Sequence, residues 1–385
     1  MHDNSNRRRF LQQSIGATAA IGIGSVMPDC FSLAAAASNH ALVNERIVNE
    51  RILVVVQISG GNDGLNTIVP YADERYRAAR PKLAIAKNDV LRLDDHDGLH
   101  PSLGGMNTLL QDGKFAAIRS VGYENPNRSH FESMDIWHTC RRKDQPRPDG
   151  WLGRYLDRQE HTGGDIPALH LGREQQPAAI ASTRVRVPTV TNLSEFQLRG
   201  GNRQSLRALL EHRRSAPSNS ENELLGFLQS STQSAIAASV RVTQAASDYR
   251  SDVKYPDTEL ARKLRVVAQL IDAGLTTRIY YVQHDGFDTH AQQAPTHGVL
   301  LRQWSDAVSA FVRDMAEHDH DQRVCVMTFS EFGRRVAENA SEGTDHGAAG
   351  PMFLCGGGVK SGIIGKRPNL SDLQQGDLKH EHDFR

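Results

Sequence analysis

Residues Arg51–Pro70 read RILVVVQISGGNDGLNTIVP, and the fold turns on how that stretch is read. Ile52 to Val56 form a near-continuous apolar, mostly β-branched run without polar alternation. That is the pattern of a strand covered on both faces at the centre of a parallel sheet. The run ends in Ser59-Gly60-Gly61-Asn62-Asp63-Gly64, where three glycines permit backbone shapes that other residues avoid. Ligands of an open α/β sheet bind at the carboxyl ends of its central strands, and Asp63 is the carboxylate delivered there. Two readings of Asp63 stand side by side: a cap in a tight turn, or a ligand.

Beyond this stretch, the same strand–loop–helix grammar recurs. Phe115–Val121 reads as a second buried strand, with a polar exit loop over Gly122–Ser129 and a helix over His130–Thr139. Thr258–Gly274 carries Leu260, Leu264, Val267, Leu270 and Ile271 on one helical face and leads into a strand at Arg278–Val282. A long helix over Gly298–Glu317 precedes the strand Arg323–Phe329, and Ala168–Leu171 is a shorter strand. Repeated βαβ units predict an α/β fold, a three-layer, doubly wound and mostly parallel sheet. Residues 188–256 are polar and helical in pattern and lack the Gly-flanked Asp/His clusters, so they read as a helical insertion or cap. The chain stops at Lys379–Arg385 without an apolar closing element, which leads us to expect a terminal helix beyond it.

A chain of 385 residues accommodates one large α/β domain or two ordinary ones. Its 45 Lys and Arg balance 45 Asp and Glu, which argues against a nucleic-acid partner. Four scattered cysteines are too few for a disulfide framework, and Cys325 and Cys355 sit in apolar runs as expected of buried thiols. The first residues carry an address. Asn6-Arg7-Arg8-Arg9-Phe10-Leu11-Gln12, the Gly/Ala-rich Ile15–Met27 and Ala34–Ala37 make the charged, apolar and small-residue regions of a twin-arginine export signal over 1–37. The apolar part is too short and glycine-rich for a stable membrane span. A periplasmic or secreted protein, handed to the twin-arginine export machinery already folded, is the expectation.

The strand exits hold a recurring cargo: Asp63, then Ser129-His130, then Asp288 and His290, then Glu331, with Asp345-His346 soon after. Mixed carboxylate and imidazole groups suit zinc, manganese or iron. Two such ions form a clamp for displacement at a tetrahedral centre. Each signal has an ordinary reading beside it: Asp288 as a helix cap, Ser129 as an N-cap, Asp345-His346 as a surface pair, Glu331 as the partner of Arg334 or Arg335. There is no Gly-x-Ser-x-Gly elbow and no phosphate loop or dinucleotide fingerprint.

The twin-arginine leader together with QISGGNDGLNT, NRSHFESMDIW, GFDTH, TFSEFGRR and GTDHGAAGPMFL resembles one exported bacterial family, domain of unknown function fifteen-oh-one, within the alkaline-phosphatase and sulfatase-like superfamily. The match runs from about residue 50 to the end, with the motifs in order. The resemblance implies an alkaline-phosphatase-like fold with a two-metal site. It implies Asp63 as an early ligand, Asp288 and His290 on one metal, Asp345 and His346 on the other, and His380 or His382 as a late imidazole. Ser129 becomes the nucleophile, with Arg128 and His130 beside it as catalytic candidates. The superfamily often spaces the first Asp and His four apart; here they are two apart, which brings in His297 as an alternative to His290. Two divalent ions are expected, zinc first, with manganese and calcium as alternatives. The implied function is a metal-dependent hydrolase of phosphate or sulfate esters, acting on a small-molecule or polysaccharide ester. The alternatives are an exported binding or scaffold protein that keeps the fold without turnover, and a serine hydrolase using Ser129 and a histidine without metal.

Overall fold

The computed structural model describes residues 51–159, 166–191 and 249–385. The expected export signal and most of the expected helical insertion lie outside them. In chain order the strands are β1 (Ile52–Ile58), β2 (Ile68–Val69), β3 (Leu91–Arg92), β4 (Gly98–Leu99), β5 (Phe115–Gly122), β6 (Ala168–Leu171), β7 (Thr189–Val190), β8 (Ile279–His284), β9 (Val324–Phe329), β10 (Gly350–Cys355), β11 (Gly362–Ile364) and β12 (His382–Asp383). Among them stand the helices α1 (Glu74–Ala79), α2 (Gly104–Gln111), α3 (His130–Thr139), α4 (Trp151–Asp157), α5 (Glu259–Asp272) and α6 (Gln293–Glu317).

The main sheet runs β11-β5-β10-β9-β1-β8-β6-β7, with β12 added alongside β5. All of its pairings are parallel except those of β10, which is antiparallel to both β5 and β9. The fold is therefore α/β with a mostly parallel sheet, as the sequence pattern predicts. The apolar run Pro351–Leu354 lies inside β10, the strand that breaks the parallel rule. A glycine and a proline at its start hide the β pattern from a reading of the sequence. A small sheet, β2-β4-β3, stands apart.

Strand β1 shows why an unalternating run belongs at the centre. Val54, Val56 and Ile58 join the core shared with α2, α5 and α6, while Val55 faces the opposite core with Ile136 of α3 and Leu152 of α4. Each such side chain contributes about 2 kcal/mol by leaving water. Helix α5 starts where Thr258 accepts a hydrogen bond from the Ala261 amide, a cap worth about 1 kcal/mol. Helix α6 begins at Gln293, five residues before the expected Gly298. Pro295 is tolerated there because the first-turn amides have no intrahelical acceptor to lose. That earlier turn places Gln293 and His297 under the exit of β1.

Gly60 and Gly61 take φ of +118° and +83°. A Cβ on Gly60 would collide with the Asp288 amide nitrogen, and one on Gly61 with the Phe332 ring. The glycines thus let the exits of β1, β8 and β9 close upon one another, a tighter duty than approaching a ligand.

Candidate metal centre

Asp288 is the point on which the strand exits converge. It follows β8 and remains partly exposed, with 46% of its side chain accessible. Its Oδ1 lies 3.0 Å from His346 Nε2 and 3.0 Å from His290 Nε2. Its Oδ2 lies 3.3 Å from His130 Nε2, a buried atom that makes no hydrogen bond. His290 Nε2 and His346 Nε2 are themselves 2.9 Å apart. Ligand atoms of His130, Asp288 and His346 fall within 4.8 Å of one another, and theirs is the cluster of this kind found among the described residues.

The far side of each ring explains its orientation. His130 Nδ1 is 2.9 Å from Glu331 Oε1, His346 Nδ1 is 2.8 Å from the Arg128 carbonyl, and His290 Nδ1 is 3.5 Å from Asp345 Oδ1. An oxygen acceptor at Nδ1 keeps the proton on that nitrogen and leaves the lone pair on Nε2. Three Nε2 lone pairs then face one carboxylate. Acceptors turned toward each other repel unless a cation lies among them, so the donor set fits a metal ion. Imidazole-rich coordination suits zinc, manganese or iron better than calcium, which takes oxygen ligands.

The carboxylate itself is held from beneath by Arg334, which is buried. Its Nη2 donates to Asp288 Oδ1 at 2.7 Å and to the Phe287 carbonyl at 2.9 Å and also bonds the Gly60 carbonyl. Its Nε and Nη1 donate to the Gly61 and Thr344 carbonyls, each at 2.7 Å. Burial pulls the Asp288 pKa up, but its contact with His346 and the hydrogen bond and charge of Arg334 outweigh it and hold the carboxyl well below the usual range. The Glu331 hydrogen bond pushes the His130 pKa up. Phe332 walls the site, its ring 5.0 Å from that of His130 and 4.5 Å from that of His346.

The remaining candidates fall elsewhere. Asp63 is buried below the site and engaged: Arg80 Nη1 donates to its Oδ2 at 2.6 Å, Gln293 Nε2 donates to the same oxygen, and the Asn66 amide reaches Oδ1 at 3.3 Å. Burial would raise its pKa, yet Arg80, with His297 and Gln293, outweighs burial and lowers it. Its turn-and-cap reading is the one the structure displays. Asp345 stands behind His290 and accepts from Asn339 Nδ2 at 3.2 Å. His380 packs beside Gly122 at the end of β5, outside the cluster. His297 is buried with its Nε2 3.0 Å from Asn62 Oδ1. Ser129 is exposed at the N-terminus of α3 and makes no side-chain capping bond. The Arg128 guanidinium is taken by Asp377, with Nε donating to Oδ2 at 2.9 Å.

Glu331 and Arg334 are the functional residues whose roles the sequence pattern misplaces. Adjacency suggests that they pair with each other; instead Glu331 accepts from His130 and from the Gly60 amide at 2.9 Å, and Arg334 serves Asp288. The available signal is their position, charged residues directly after a buried strand.

No curated protein sequence matches the chain. Among solved structures it is similar to a protein in the alkaline phosphatase superfamily from Vibrio parahaemolyticus, at 7% identity and a TM-score of 0.40, covering 84% of this chain and 64% of that one. The chain thus spans 64% of that neighbour's length. It is similar to a sulfatase from Pseudoalteromonas sp. at 9% identity and a TM-score of 0.38, covering 90% of this chain and 70% of that one. A lipoteichoic acid synthase from Listeria monocytogenes gives 7% identity and a TM-score of 0.37, with 85% and 72% covered. The family model described as Protein of unknown function (DUF1501) matches residues 50–385, and the chain belongs to that family.

Proposed function

We propose that the chain is an exported hydrolase of phosphate or sulfate esters built on one divalent metal ion, held by His130, Asp288, His290 and His346. The observation that carries this reading is the turning of three Nε2 atoms toward the Asp288 carboxylate, with each Nδ1 facing an oxygen. When bound, the ion supplies Lewis acidity toward an anionic ester oxygen. The protein's own groups supply the rest. Glu331, Asp345 and the Arg128 carbonyl fix the imidazole rings. Arg334 holds Asp288 ionised and in place. Ser129 is the hydroxyl assigned as nucleophile, exposed beside free amides of the first turn of α3, where an anionic group is favoured. His130 is committed to the centre and so is a ligand rather than a general base. The ordered motifs of the sequence support the ester reading, and residues 1–37 support action outside the cytoplasm.

A panel of phosphomonoesters, phosphodiesters and sulfate esters, assayed with and without zinc or manganese, tests this. Turnover of one class that chelation abolishes and metal restores is expected, with Ser129→Ala at least ~100-fold slower, the scale of a lost nucleophile or base. Turnover that is indifferent to chelators, or unchanged in Asp288→Asn, contradicts it.

A further inference from the structure

A small cavity is lined by Asn62, Val121, Trp137, Ser330, Pro351 and the same Phe332 that walls the candidate centre. Its volume is about 10 Å³, room for a single water-sized occupant. Two hydrogen-bond donors on this lining, Asn62 Nδ2 and Trp137 Nε1, are buried and have no protein partner. Asn62 is 1% exposed and Trp137 7%, so bulk solvent does not reach them.

Neither donor is free to turn away. Asn62 Oδ1 accepts from Thr67 Oγ1 at 3.1 Å and stands 3.0 Å from His297 Nε2, which fixes where its amide nitrogen points. The Trp137 indole stacks on Phe384 at 3.8 Å between ring centroids and 6° between planes, and on Phe329 at 5.1 Å and 14°. Rotating either side chain would break these contacts. A buried donor left unmet costs about 1–3 kcal/mol, a cost that an acceptor placed between the two would offset.

We infer that this cavity binds a single-atom acceptor, a water oxygen or a halide ion, held between Asn62 Nδ2 and Trp137 Nε1. The two donors ask only for lone pairs, and a polyatomic anion or an organic ligand exceeds the volume. The occupant lies next to a hydrogen-bonded chain into the centre. Ser330 Oγ accepts from the Asn62 amide at 3.0 Å and donates to Glu331 Oε2 at 3.1 Å, and Glu331 Oε1 faces His130 Nδ1 at 2.9 Å. The site stands whether or not the centre proves to be an esterase.

Crystals of the full chain, grown in parallel with sodium bromide and with sodium acetate, decide it. A density peak within hydrogen-bond distance of both nitrogens is expected. An anomalous bromine signal at the peak identifies the halide; the same featureless peak in both crystals identifies water. No peak, or Asn62 and Trp137 turned onto protein acceptors, overturns the inference. In Trp137→Phe the peak should be lost or shift toward Asn62, and an unmoved, fully occupied peak would remove Trp137 from the site. Should that variant fail to fold, the two wild-type crystals by themselves distinguish an occupied cavity from an empty one.

Discussion

Asp63 and Asp288 both follow a buried strand beside glycines, and their fates differ because of residues far away. Seventeen residues after Asp63, Arg80 arrives fully buried and claims its carboxylate at 2.6 Å. Asp288 meets three imidazoles and remains accessible. Residue type and place at the sheet edge were readable for both. The partner was not, because a guanidinium returning on a short helix leaves no periodic trace. Removing one member of a buried pair strands the other, which costs about 3–5 kcal/mol. Arg80→Ala is therefore expected to lower the urea-unfolding free energy by that amount; a loss below about 1 kcal/mol would show that Asp63 finds solvent or another partner. The same scale explains Glu331. A carboxylate after a strand and two arginines suggested a local pair, but the strand exit turns Glu331 toward α3 and sends Arg334 beneath Asp288.

Among the elements, the long buried strands and the amphipathic α5 were legible because one side-chain period runs through each. Strand β10 was not: glycine and proline dilute its pattern, and its antiparallel direction comes from pairing with β5 and β9. The start of α6 was hidden by Pro295 and Gly298, residues that ordinarily mark boundaries. The Gly60–Gly61 corner is where the elements meet, and substitution there tests whether the corner shapes the centre. Gly60→Ala forces a side chain into φ +118° and onto the Asp288 backbone. Gly113→Ala imposes similar strain at φ +73° with nothing nearby. Gly113→Ala should lose about 1–3 kcal/mol in chemical unfolding, and Gly60→Ala more, because the backbone clash adds to the φ strain. Only Gly60→Ala should also weaken zinc binding, by tenfold or more in a competition titration with a chromophoric chelator. Equal zinc affinity in the two variants would separate the corner from the centre.

For the molecule as a whole, buried neutral imidazoles set the acid limit. Burial lowers the pKa of His100, His138 and His297 to about 4 each. An unfolded histidine titrates near 6.5, so the unfolded chain takes up protons first as pH falls. Their stabilising contribution is complete above pH ~6.5 and is lost between there and about pH 4. His138 alone contributes about 3 kcal/mol across that window. Thermal unfolding followed from pH 7 to pH 4.5 should fall steeply, and His138→Gln should flatten the fall by up to ~1.4 kcal/mol per pH unit. An unchanged slope would mean that His138 is protonated in the folded protein too. The α/β architecture on which this rests was visible in the sequence, since a core of unalternating strands admits few other folds. We propose one ion where the sequence suggests two, because Asp63, Asp345 and His380 carry the right chemistry but stand outside the cluster that the packing gathers.

Metal stoichiometry tests that last point. Elemental analysis of the purified chain, after reconstitution with zinc and removal of free ion, should give one ion per chain. Asp63→Asn should keep it and Asp288→Asn should lose it. Two ions per chain, no ion in the wild type, or full retention in Asp288→Asn would contradict the assignment of a single centre on His130, Asp288, His290 and His346.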